Sequence, residues 1–260
     1  MESTHLSINY NQPEQKELSG AAKVGWILTG KEPKVLFEPP ERLRMVDPNR
    51  EHAKSASRCP AVIGMEGRYF QVRCPYDVNL GFTRNKDGKA ELVNLSKSKS
   101  SIRAGKLGQV FHMTPEHEWR YKDRPTIQMN TPYLFISDEP VYMTQLDAFL
   151  HYRRTPFPGT IFGGRFPIHN WPRGLMWAFE WHDIKQPLVI ARGEPLFYVT
   201  FEAMRPERSI QLIEAEETPE LKEFMSAISG AVNYVDKTFS LFKAAERLRP
   251  EQILTPKKRR

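Results

Sequence analysis

Cysteine is scarce in this chain of 260 residues: there are two, Cys59 and Cys74, each set in Arg-Cys-Pro. Two thiols exclude the disulfide framework of a small secreted domain, and with no further Cys or His close by in sequence neither completes a zinc site. If Glu66-Gly67 is a hairpin turn, the two thiols face each other across it at a spacing a disulfide tolerates; reduced, partly buried thiols are the simpler expectation. Long apolar runs are missing as well, so no membrane-spanning helix is expected. The start, MESTHLSINYNQPEQKELSG, lacks the charged-then-apolar order of a secretion signal, which points to a soluble chain that is cytoplasmic at synthesis.

A strong excess of one charge is also absent from the body of the chain. The formal net charge is +7, but Lys257, Lys258, Arg259 and Arg260 supply four of those charges, leaving +3 elsewhere. That excludes an extended basic face read from composition alone. The common catalytic signatures are absent too: no Gly-x-x-x-x-Gly-Lys-Ser/Thr, Gly-x-Gly-x-x-Gly, Gly-x-Ser-x-Gly or His-Glu-x-x-His, and no His-x-Asp or His-x-Glu pair of a β-barrel iron oxygenase. Nothing in the residues calls for a cofactor or a metal.

What is present is β patterning. Val24, Trp26 and Leu28 alternate as in a short strand. A proline-broken connection through Pro39-Pro40 and Pro48 follows. Residues 61–65 and 69–72 flank Glu66-Gly67 as one hairpin, and 80–83 and 90–93 flank Asn85 to Gly88 as another. Short strands are expected at 110–113, 126–129, 133–136 and 141–143, with Pro125, Pro132 and Pro140 as corners. Between them, residues 94–108 read as a mobile polar loop carrying Lys97, Lys99, Arg103 and Lys106. These four and the tail cations Lys257, Lys258, Arg259 and Arg260 are the candidate phosphate or nucleic-acid contacts; a solvated loop and terminus are the plainer reading.

From residue 216 the period changes. Thr218-Pro219-Glu220 combines an N-cap, a first-turn proline and a first-turn acid, and apolar residues from Leu221 to Leu248 then recur at helical spacing. One amphipathic helix over 216–249 is expected, with Gly230 as a possible bend. It would pack on the chain's own sheet or on a partner.

The densest polar and aromatic cluster lies between residues 169 and 183, which hold three of the five tryptophans. On a strand Trp177, Phe179 and Trp181 share one face, Glu180 and His182 the other. The aromatic face is core or a ligand-stacking platform. His169, Trp171, Arg173, Glu180 and His182 are the candidate ligand-binding residues, with Glu180 and His182 expected on a solvent-facing side. No residue is assigned a catalytic role.

Two resemblances follow. Arg173-Gly174, the strand from Leu175 to Trp181, the turn to Gln186, Pro187 to Ile190 and the Gly193-led strand to Phe201 resemble the closing strands of the deoxyuridine triphosphate nucleotidohydrolase family, which implies a β-clip-like fold. His169 stands where that family has its Asp and Pro172 where it has its base-stacking Tyr, so no catalytic residue carries over. Pro39-Pro40 with Arg42, Arg58-Cys59-Pro60, Phe179-x-Trp181 and Gly193-Glu194-Pro195 with the strand and helix that follow are similar to a domain family of unknown function from bacteria and tailed phages.

The expectation is therefore a mainly β protein, an antiparallel β-sandwich or β-clip-like domain over 21–215. It has an arm at 1–20, a long C-terminal amphipathic helix at 216–249 and a basic tail at 250–260. A non-catalytic binding or assembly role fits it, phage-encoded and virion-associated, with a protein partner or a second copy as contact, nucleic acid as a further partner through the basic stretches, and no membrane. The alternative is a small-molecule or nucleotide-acting enzyme on a related β scaffold.

Overall fold

The structure, a computed structural model, describes residues 20–30, 33–44, 58–103, 105–151, 153, 156–231, 234 and 238–258. The arm at 1–20 therefore lies outside the described residues except for Gly20, as do Arg259 and Arg260. The protein is mainly β. Its strands are β1 (Ala22–Leu28), β2 (Glu41–Arg42), β3 (Tyr69–Arg73), β4 (Val78–Arg84), β5 (Ala90–Asn94), β6 (Phe111–Met113), β7 (Thr126–Ile136), β8 (Val141–Leu146), β9 (Gly159–Ile161), β10 (Gly164–Pro167), β11 (Gly174–Trp181), β12 (Leu188–Ile190), β13 (Pro195–Ala203) and β14 (Ile210–Glu214). Its helices are α1 (Pro60–Glu66), α2 (Leu107–Val110), α3 (Pro219–Ile228) and α4 (Thr238–Leu248). Among the described residues no helix is long and apolar enough to cross a membrane.

The strands form three sheets. The first runs β14-β1-β7-β11-β9, with β6 also paired to β7; the second runs β10-β8-β13-β3-β2; the third is β12-β4-β5. All three supply residues to one core, in which Trp177, Phe179 and Trp181 meet Val72, Val199 and Phe197 of the second sheet and Leu80, Leu188 and Ile190 of the third. Trp177 and Phe179 stack with ring centroids 5.5 Å apart. The first sheet is buried on its other face too, where Ile27, Leu134 and Ile136 pack under α3 and α4 with Leu221, Phe224 and Ile253. A strand covered on both sides is apolar throughout, which accounts for the unbroken burial from Thr131 to Ile136.

Six expectations are corrected. The segment 60–66 is helix, because Pro60 serves the first turn of a helix and residues 60–66 bury no side chain that a sheet face would need. Cys59 is consequently exposed while Cys74 is buried, and both thiols are free. Residues 126–136 are one strand rather than two: between Gly174 and Met176 the register against β11 slips, and this bulge on β7 accommodates Pro132, which has no amide hydrogen to pair. The expected long helix is two, α3 ending at Ile228 before Gly230, whose φ of 70° suits glycine and not a continuing helix. The start of α3 is as expected, Thr218 Oγ1 accepting from Leu221 N at 3.2 Å.

The tail is not a free terminus as far as it is described. Asp138 Oδ1 accepts from the amides of Ile253 and Leu254 at 2.7 and 3.0 Å, both side chains are buried, and Pro256 bridges to Ala215. The loop 94–108 is likewise anchored: Ile102 is buried in the main core, and Ser100 Oγ and Ser101 Oγ accept from Asn94 Nδ2 at 2.6 Å and Asp77 N at 2.9 Å. Finally, β1 and β14 pair in parallel, so the first sheet is not wholly antiparallel.

Candidate functional site

The clustered residues of 169–183 do not converge. β11 runs straight through them, so its two ends are roughly 20 Å apart at a strand's rise per residue. At the first end His169 is half-buried, with Nδ1 at 3.3 Å from Val141, and its carbonyl accepts from Arg249 Nε at 2.6 Å. Burial holds its imidazole below the ordinary histidine value. Trp171 is drawn into the helix-side core, edge-on to Phe242 at 5.4 Å, and Arg173 lies over the Phe166 ring. Trp171 and Arg173 share a groove of about 280 Å³ with Met225 and Ile228.

At the far end His182 Nε2 lies 2.9 Å from Glu180 Oε1, a hydrogen bond in which His182 donates. The pair was expected to face solvent, but the Glu180 side chain is only 7 % exposed. The tight turn from Tyr121 to Arg124 closes over it, bringing Arg120 Nε and Arg124 Nη1 to 4.0 and 3.9 Å, and Glu180 Oε2 is buried with no hydrogen-bond partner. Gly159 lets β9 in against it: a Cβ there would meet Glu180 O at 2.0 Å. Strand alternation assigns a residue to a side; only tertiary packing decides whether that side is open.

The basic candidates stay apart from both ends. Lys97, Lys99, Arg103 and Lys106 are exposed on the anchored loop, where Lys106 Nζ donates to Gln109 Oε1 at 3.0 Å. In the tail, Lys257 is paired with Glu214 and Lys258 is exposed. Among the described residues no group of three or more His, Cys, Asp and Glu side chains is placed to hold a metal.

A different site emerges on the outer face of the second sheet, where sequence reading placed none. Here β2, the chain beyond it, β3, Leu150 and His151, and the turn before β13 enclose a cleft of about 1030 Å³. Arg42, Arg44, Arg73 and Arg192 line it with Glu41, Glu194, His151 and Tyr198. The strand register explains the convergence: Gln71 sits between Glu41 on one side and Tyr198 on the other, so alternate residues of three strands share this face. Two of the four motifs in the second resemblance, Arg42 after Pro39-Pro40 and Gly193-Glu194-Pro195, meet here.

The acids of the cleft are already engaged. Glu41 Oε2 accepts from Arg73 Nη2 at 2.9 Å and from Gln71 Nε2 at 3.3 Å, and the Arg73 hydrogen bond holds its carboxyl below the usual range. Arg73 Nη1 also donates to Gly193 O at 2.6 Å. Glu194 Oε2 accepts from Arg153 Nη1 at 2.9 Å and from Ala191 N at 3.1 Å. Burial pushes the Tyr198 hydroxyl up to about 12. Just beneath, burial likewise pushes the Cys74 thiol up to about 12, so it is no nucleophile at neutral pH.

Comparison with family models, with curated proteins and with solved structures finds no match to this chain.

Proposed function

We propose that this chain is a non-catalytic, β-rich binding or assembly protein, made in the cytoplasm of a phage-infected cell and carried into the virion, with a protein partner or a second copy of itself as its contact. The finer fold that goes with this reading is β-clip-like, three sheets bent about one core, of the kind implied by the resemblance to the deoxyuridine triphosphate nucleotidohydrolase family. One observation carries it: the polar residues that would have to act together, His169 and Arg173 on one side and Glu180 and His182 on the other, stand at opposite ends of β11. The cleft supports it as well, since guanidinium groups hold a fixed charge and do not exchange protons near neutral pH. Recovery of the protein in fixed stoichiometry from purified particles, or a large oligomer on sizing, is the expected result; a small monomer that converts a substrate would overturn it.

A second reading has its own support. The Glu180–His182 hydrogen bond, beside a carboxylate oxygen left without a partner, is the sort of pair an enzyme on a nucleotidohydrolase-like or double-stranded β scaffold would use for proton transfer. Metal analysis with a thermal-shift screen against nucleotides and 2-oxo acids decides it. A shift that His182→Ala abolishes favours the enzyme, and no shift with any compound removes it.

A further inference from the structure

We propose that the cleft between β2, β3 and the turn before β13 binds a small phosphorylated organic anion, its phosphate held at the Arg192 and His151 end and the rest of the molecule lying past Leu150 toward Arg44. The inference deepens the reading of the chain as a binding protein and rests on it in one respect: the ligand is held without being converted.

The charges carry the argument. Four arginines and two glutamates line the cleft. Arg73 is spent on Glu41, and Glu194 is neutralised by Arg153 from behind, so neither acid is left to repel an anion. Arg42 donates to the carbonyls of Gly67 and Ile210 at 2.5 and 2.9 Å and lies over the Phe70 ring, so its guanidinium is turned to the other side of β2 from Glu41 and leaves the charge of the cleft to Arg44 and Arg192. Among the described residues the guanidinium groups of Arg44 and Arg192 have no acceptor. Each such fork offers up to five donors suited to an oxyanion.

A second, independent observation marks one end as the anchor. His151 Nε2 is buried and lacks a hydrogen-bond partner, its nearest acid, Glu194 Oε1, being 3.7 Å away. A buried polar nitrogen left unpaired is costly, and a ligand oxygen would satisfy it once the partly exposed His151 ring turns Nε2 toward the cleft. It stands in the wall that also holds Arg192 and Gly193. The remaining space decides the size of the ligand. At about 1030 Å³ the cleft is far larger than an inorganic phosphate needs, and Leu150 supplies apolar surface for an organic body, with Leu43 and Tyr198 buried beneath it. The two free cations stand at opposite ends of β3: Leu43 pairs with Tyr69 just before Arg44, while Arg192 lies beyond Arg73. A compact single charge reaches only one of them; an elongated ligand reaches both.

Isothermal titration of the full chain with inorganic pyrophosphate is the test, with citrate and single-stranded oligonucleotides of increasing length as the other arms. Pyrophosphate binding is expected, weakened about tenfold by Arg192→Ala, less by Arg44→Ala because the probe is short, and unchanged by Lys86→Ala in the distant hairpin turn. Arg192→Lys, which keeps the charge and loses the fork, should restore only part of the affinity. Absence of binding by the folded protein, binding that Arg192→Ala leaves intact, tighter binding of citrate, or affinity that climbs with oligonucleotide length would each overturn the proposal. Release of orthophosphate during the titration would instead overturn the non-catalytic reading while leaving the site in place.

Discussion

Trp171 and Trp177 stand six residues apart in the sequence and in two different cores. Trp177 is fully buried between the sheets, stacked on Phe179 and edge-on to Phe111 at 6.3 Å, with an indole N–H that finds no acceptor. Trp171 lies on the other side of the first sheet, held by Phe242 of α4 and bordering an open groove. The difference is one of closure. The inner core is walled by three sheets, whereas the outer one is covered by two short helices and by the segment around Ile253 and Leu254.

That contrast breaks most readily from the inside. Trp177→Ala is expected to cost about 3–5 kcal/mol in chemical denaturation, because the surrounding rings cannot collapse into the space. A loss below about 1 kcal/mol would mean that the inner core is not closed as described. On the helix side Leu254→Ala should cost about 2–3 kcal/mol, the low end for a buried leucine, since the covering segment can shift to fill the gap. Hydrogen exchange sharpens the distinction: Leu254→Ala should speed amide exchange in α3 and α4 while leaving β3 and β13 protected.

The smallest effect is a pH dependence. His169 joins the two regions, its ring on Tyr142 and its carbonyl on Arg249. Burial lowers its native pKa below 6.5, so in the window just under pH 6.5 the unfolded chain binds a proton that the native chain does not. Stability is therefore full above that window and falls as the pH drops toward the native pKa. His169→Asn should flatten this part of the stability profile; an unchanged slope would place the titrating group elsewhere.

Much of the strand content was legible. Alternation marked β1, β8, β11 and β13, and the Asn85–Gly88 turn marked the β4–β5 hairpin, because these signals depend on a strand's own two faces. Partner choice was not legible. β11, β12 and β13 follow one another closely and read as consecutive ribbons, yet each belongs to a different sheet. The turns between them redirect the chain: Trp181 Nε1 donates to Asp183 O and Gln186 O at 2.8 and 3.1 Å, and Glu194 N to Ala191 O at 3.1 Å. The cleft was invisible for the same reason. Arg42, Arg73, His151 and Arg192 are strewn over most of the chain, and only the order β8-β13-β3-β2 gathers them. Glu180 was assigned to the correct side of its strand and the wrong environment, since the turn that covers it comes from residues 121–124.

The parallel pairing of β1 with β14 bears on how the molecule is made. Ala22 finds its neighbour in Ile210, and Arg208 reaches back to Gly20 across 188 residues. During synthesis β1 emerges with the edge that β14 fills still open, and β2 to β13 must follow before that edge is satisfied. Such distant closure favours slow folding. Any ribosome pause between β8 and β14 would prolong the interval in which Trp26 and its neighbours are open to capture by another chain.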